Sequence, residues 1–152
     1  MDSSVTLTLS VRVCALAADG LVSVSRAAEV VRLRRYASLA SLVALAAEAR
    51  CPVSYLIDPR CREADMNAEW IYSDEPQLLR FRRRLSQAME MDGVRSADEL
   101  ARSARLSHAC VLSYLRGTRL PSATSLVRLS RTLGVSCDWL LGFDKGGESP
   151  WR

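Results

Sequence analysis

The chain has 152 residues, a formal net charge of +4 and an apolar fraction of 49%. This length suits one ordinary domain or two small ones, with enough apolar side chains for a core. No apolar run approaches the ~18 residues that span a bilayer, and Met1-Asp2-Ser3-Ser4 lacks a basic signal n-region. A soluble cytoplasmic chain is expected, with no membrane contact. Five cysteines and one histidine, His108, show no Cys-x-x-Cys or clustered ligand spacing. No metal and no cofactor are therefore expected, and the thiols read as buried or half-buried groups in a reducing compartment. With a single histidine, no clustered carboxylates and no Gly-rich phosphate loop, an enzyme is not expected.

The chain opens on Val5, Leu7, Leu9, Val11 and Val13, which alternate at period two. A strand and a helix both remain open there. Residues 59–77 are acidic, with two arginines against five acids, and read as a linker. Trp70, Ile71 and Tyr72 in that stretch read as residues that dock it onto a domain rather than as a ligand site. From 79 to 142 there are eleven arginines against five acids, a net +6, whereas residues 1–58 carry six arginines against five acids. The positive charge is concentrated in one segment. That suits a polyanionic partner, although a solvated basic face has the same composition.

Five short helices are predicted in the C-terminal half. Asp74-Glu75-Pro76 leads into the first, where Leu78, Phe81, Leu85, Ala88 and Met89 recur at helical spacing and Gly93 stops the run. Arg82, Arg83 and Arg84 on it read as a solvated face or as phosphate contacts. Ser96-Ala97-Asp98-Glu99 is a capping box that starts the second helix. Ser107 caps the third, which ends at Arg116-Gly117. Leu126, Leu129 and Leu133 line a fourth helix, stopped by Gly134. Ser136 caps a fifth, Cys137 to Leu141, stopped by Gly142. Residues 143–152 read as a flexible tail.

The N-terminal half repeats part of this order. Shifted by 84 residues, positions 12–58 align with 96–142 without a gap, and eleven of the 47 pairs are identical; about three would arise by chance. Two related helical units are expected. The first is truncated, because the register leaves no room for a counterpart of helix 78–91.

The third C-terminal helix carries the functional expectation. Val111, Tyr114 and Leu115 share one face at i, i+3 and i+4. His108, Ala109, Leu112, Ser113 and Arg116 share the other. A helix that enters the major groove needs such a face: small side chains for close approach, a few groups that read base edges, and cations at the rim for phosphates.

The segments Ser96 to Ala101, Leu106-Ser107, Tyr114 to Ser122 and Leu133 to Gly142 together resemble the Cro/C1-type (XRE-like) helix-turn-helix family over about 64 residues. The resemblance implies an all-α, lambda-repressor-like five-helix DNA-binding domain at 78–142, in dimeric regulators of phages, mobile elements or bacteria. It implies base reading by His108, Ala109, Leu112 and Ser113, with His108 a donor to guanine or to a phosphate. It implies backbone contacts from Ser96, Ala97, Ser107, Arg116, Thr118 and Arg119. The family often has Gln where Ala97 stands, so a side-chain contact is lost. It usually has Gly where Arg105 stands, at a position that tends to need positive φ; Arg there costs about 1 kcal/mol.

By the same resemblance, residues 1–58 read as a degenerate, truncated helix-turn-helix-like unit. Val24, Ser25, Ala28, Glu29 and Arg32 take the places of the five outward residues, and Glu29 puts negative charge where DNA would lie. Self-association or partner binding is expected of this unit ahead of auxiliary DNA contact through Arg32, Arg34 and Arg35. The functional expectation is a transcriptional repressor in the bacterial cytoplasm or nucleoid. It would be a homodimer on double-stranded DNA with an inverted-repeat operator. The alternative is a protein-binding antirepressor, antitoxin or adaptor that uses the same fold without DNA, and a regulatory protein partner is compatible with either.

Overall fold

A computed structural model of the chain describes residues 3–32, 38–61 and 76–143. The expectations for Trp70, Ile71 and Tyr72, for Arg34 and Arg35, and for most of the linker and tail fall outside them. All regular structure among the described residues is helical: α1 (Ser3–Ala18), α2 (Val24–Arg32), α3 (Leu39–Ala49), α4 (Val53–Ile57), α5 (Gln77–Asp92), α6 (Ala97–Ala104), α7 (His108–Arg116), α8 (Ala123–Leu133) and α9 (Cys137–Leu141). The chain divides into two compact units. One is built on α1–α4, the other on α5, α6, α7, α9 and the body of α8.

In the first unit the period-two alternation of residues 5–13 resolves as helix. Val5, Leu9, Val13 and Leu16 are buried, spaced 4, 4 and 3, and so lie along one face of α1. Leu7 and Val11 point outward. Leu42, Leu45, Ala46 and Ala49 of α3, with Leu56 and Ile57 of α4, complete the core. At roughly 1.5–3 kcal/mol for each fully buried large side chain, this core dominates the unit's stability. Arg12 leaves the apolar stripe for a structural reason. Its guanidinium donates to the carbonyl oxygens of Tyr55, Asp58 (2.9 Å) and Cys61 (2.7 Å) and lies 4.6 Å from the Tyr55 ring centroid. A cation thus satisfies carbonyls at and beyond the C-terminus of α4, where the helix dipole favours positive charge.

The 84-residue offset reappears in the helix ends. Adding 84 to the bounds of α2, α3 and α4 returns the bounds of α7, α8 and α9. The caps follow the same offset: Ser23 Oγ accepts the Arg26 N–H (3.3 Å), as Ser107 Oγ accepts the Cys110 N–H (3.1 Å). Arg50 and Gly134 both take positive φ. The N-terminal ends differ. In the first unit α1 is one continuous 16-residue helix, where the second unit has the end of α5, a turn and the start of α6.

In the second unit Phe81, Leu85, Ala88 and Met89 of α5 are buried, as expected from their spacing, while Leu78 is half-buried. Phe81 meets Tyr114 of α7 edge to face, with centroids 5.8 Å apart. The arginines of α5 spread over the neighbouring helix ends. Arg80 is buried, 4.9 Å from the Phe143 ring centroid. Arg84 lies 4.6 Å from that of Trp139.

Candidate nucleic-acid interface

The α6–α7 pair is held by local hydrogen bonds at both ends of each helix. Ser96 Oγ accepts the Glu99 N–H (3.1 Å) and Glu99 Oε2 accepts the Arg95 N–H (3.1 Å). The capping box therefore forms, with its return bond one residue earlier than the usual N-cap amide. Arg105 ends α6 in the left-handed region, φ 54 and ψ 45, and the Leu106 N–H closes the turn onto Ala101 O (2.9 Å). The Arg105 carbonyl accepts from Arg128 Nη1 (3.0 Å), which ties this strained turn to α8. Ser107 then caps α7, and Gly117 ends it at φ 70.

This frame splits α7 into two faces. Val111 and Tyr114 are buried and Leu115 is half-buried. His108, Ala109 and Arg116 are exposed; Leu112 and Ser113 are half-buried beside them. All four residues expected to read bases thus lie together on the outer side of α7. Their hydrogen-bonding capacity differs. Ser113 Oγ donates to Ala109 O (2.9 Å), so its hydroxyl offers lone pairs rather than a free proton. The His108 ring lies against α6, with Nδ1 3.7 Å from Asp98 Oδ1.

The residues expected to contact the backbone lie at the starts of α6 and α7 and in the loop that follows α7. Ser96 and Ser107 are exposed N-caps, and Ala97 is half-buried beside Ser96. At the other end Thr118 Oγ1 donates to Ser113 O (3.1 Å) and the Thr118 N–H donates to the same carbonyl (3.1 Å). These bonds fold the loop back onto α7. Arg116 and Arg119 project from it, exposed, with no ion-pair partner among the described residues. A Cβ at Gly117 would stand 3.0 Å from Arg82 Cδ, so the Arg82 stem lies over the α7 C-cap beside the same loop. The sequence shows an Arg82-Arg83-Arg84 run but not which of the three reaches α7; that depends on the angle between α5 and α7.

Residues 95–140 match a family described as Helix-turn-helix. This segment is a helix-turn-helix domain of the Cro/C1 type. The match spans α6 to α9 up to Leu140, and the family is one of DNA-binding regulatory domains. Comparison with curated proteins and with solved structures returned no match. Among the described residues of the chain carrying this domain, no helix is long and apolar enough to cross a membrane. No group of three or more His, Cys, Asp or Glu among them could hold a metal ion.

Proposed function

We propose that this chain is a sequence-specific, double-stranded-DNA-binding transcriptional repressor that acts as a homodimer on an inverted-repeat operator. One observation carries the reading. The outer face of α7 sets His108, Ala109, Leu112 and Ser113 together, with Arg116 and Arg119 exposed at its end and without an ion-pair partner among the described residues, inside a match to a DNA-binding family. With α7 in the major groove, the four residues face base edges. Ser96, Ala97, Ser107, Arg116, Thr118 and Arg119 hold the phosphate backbone, and Arg82 joins them. Band shifts on promoter-proximal and random duplexes test the proposal at physiological salt. Tighter binding to a subset of promoter-proximal DNA supports it; equal affinity for both classes sinks it.

In this reading residues 78–142 bind DNA, 59–77 link, 143–152 form a tail, and 1–58 associate. Self-association is supported by the outward face of α1. Leu7 is 66% exposed and Val11 59%, and Cys14 and Ala18 continue the stripe. The one formal charge on α1, Arg12, is turned toward α4. Two copies of such a face meet without desolvating a charge.

A second reading, a protein-binding adaptor without DNA affinity, is favoured by α2. At the positions matching the outer face of α7 it exposes Val24 (74%), Ser25, Ala28, Glu29 and Arg32, which places a carboxylate where Ser113 stands in α7. That reading predicts co-purification of another protein and no duplex affinity at any salt.

A further inference from the structure

Asp98 is the second residue of α6, and the N-cap bond of this helix is made by Ser96 rather than by Asp98. Ser96 Oγ accepts the Glu99 N–H at that helix start, and Glu99 turns back to the Arg95 N–H. The Asp98 carboxylate instead spans the two helices of the pair. Oδ2 lies 3.4 Å from Arg102 Nη2, one turn along α6, and Oδ1 lies 3.7 Å from Nδ1 of His108, the first residue of α7. Arg102 lies on one side of the carboxylate and the imidazole ring on the other. Both side chains of the Asp98–His108 contact are about half-exposed, at 63% and 53%, so the contact remains open to water and to a ligand.

The two ring nitrogens of a histidine are not equivalent once one faces a charge. A neutral imidazole carries a single proton, and a carboxylate beside Nδ1 stabilises it on that nitrogen. Nε2, on the far side of the ring, then presents a lone pair. We propose that Asp98 is a positioning residue that holds His108 in its Nδ1–H form. Nε2 thereby becomes a hydrogen-bond acceptor at the outer face of α7. Resting on the reading of α7 as the groove helix, this assigns His108 a base with an amino group on its major-groove edge, adenine through N6 or cytosine through N4. Guanine offers only N7 and O6 acceptors on that edge, which oppose the lone pair. The role is the reverse of the donor role that the sequence resemblance implies for His108.

The chain contains one histidine, so ¹⁵N spectra of the imidazole in the full-length protein report on this ring alone. At alkaline pH, with the ring neutral, Nδ1 is expected to be pyrrole-like and Nε2 pyridine-like. D98A should move the ring toward the opposite tautomer, because the charge that favours the proton on Nδ1 is removed. Identical tautomer signals in the wild type and D98A overturn the proposal. Selection from a randomised duplex library supplies the second arm. H108A marks the base position that His108 reads. At that position the wild type should prefer adenine or cytosine, and D98A should lose about fivefold of that preference, the scale of one hydrogen bond. A preference for guanine there, or a D98A effect that persists undiminished in the H108A background, overturns the selectivity assignment. If H108A leaves every position unchanged, base reading by His108 falls and the selectivity assignment with it. The tautomer spectra then still decide whether Asp98 holds the ring.

Discussion

At the scale of single residues, the outer face of α7 separates charge from shape. Arg116 is exposed next to the Gly117 cap, with no ion-pair partner among the described residues, so its proposed work is electrostatic. Arg116→Ala should weaken duplex binding across all sequences and reduce the salt slope of log K by about one. Titration at four or five salt concentrations measures this, and an unchanged slope removes Arg116 from the phosphate contacts. Gly117 is constrained by two facts together: φ is 70, and a Cβ would meet Arg82 Cδ at 3.0 Å. Gly117→Ala should cost about 1–2 kcal/mol in denaturant unfolding, mostly from the left-handed backbone, because the Arg82 stem is flexible enough to yield. Arg105 shows that this backbone tolerates a side chain at a similar strain, φ 54.

At the scale of elements, the helix-turn-helix rests on caps more than on length. α6 has eight residues and α7 nine, too short to be stable alone. Each is started by a serine hydroxyl on an N3 amide and ended by a left-handed residue. Ser107→Ala should lower stability by about 1 kcal/mol, read from urea midpoints at constant m. Threonine at 107 should recover most of it, and a midpoint that does not move with alanine would show the cap to be redundant. These features were open to sequence reading because caps, stop glycines and apolar spacing are local. The N-terminal α1 was not, since Val5 to Val13 satisfies the strand and helix periods equally well. Only burial of Leu9 and Val13 with Leu7 and Val11 left outside separates the two. Asp98 was equally hidden: its partner His108 is ten residues away across a turn, and a capping-box aspartate already has a local explanation.

At the scale of the whole molecule, α2–α4 and α7–α9 share an 84-residue offset, and the proposed roles give the two units different surfaces. The proposed dimer belongs to the first. Glutamate at both Leu7 and Val11 should convert the dimer to monomer in light scattering. Helical content should hold, since neither side chain is in the core, and operator affinity should fall because two half-sites are no longer bound together. A dimer that persists in this double variant moves the association surface off α1.

The amino-acid order by itself determined the helix-turn-helix. Serine caps, glycine stops and a leucine stripe act within a few residues, and they placed α5 to α9 and the outer face of α7 before any contact was known. The tertiary structure decided what depends on distant neighbours. It turned residues 5–13 into helix by burying every second member of the alternating run, and it used Arg12 to satisfy the end of α4. It also sent Arg82 to the α7 cap and Arg84 to Trp139, and set the carboxylate of Asp98 against the ring of His108. Each depends on the angle at which two helices cross, which packing determines and local sequence does not encode.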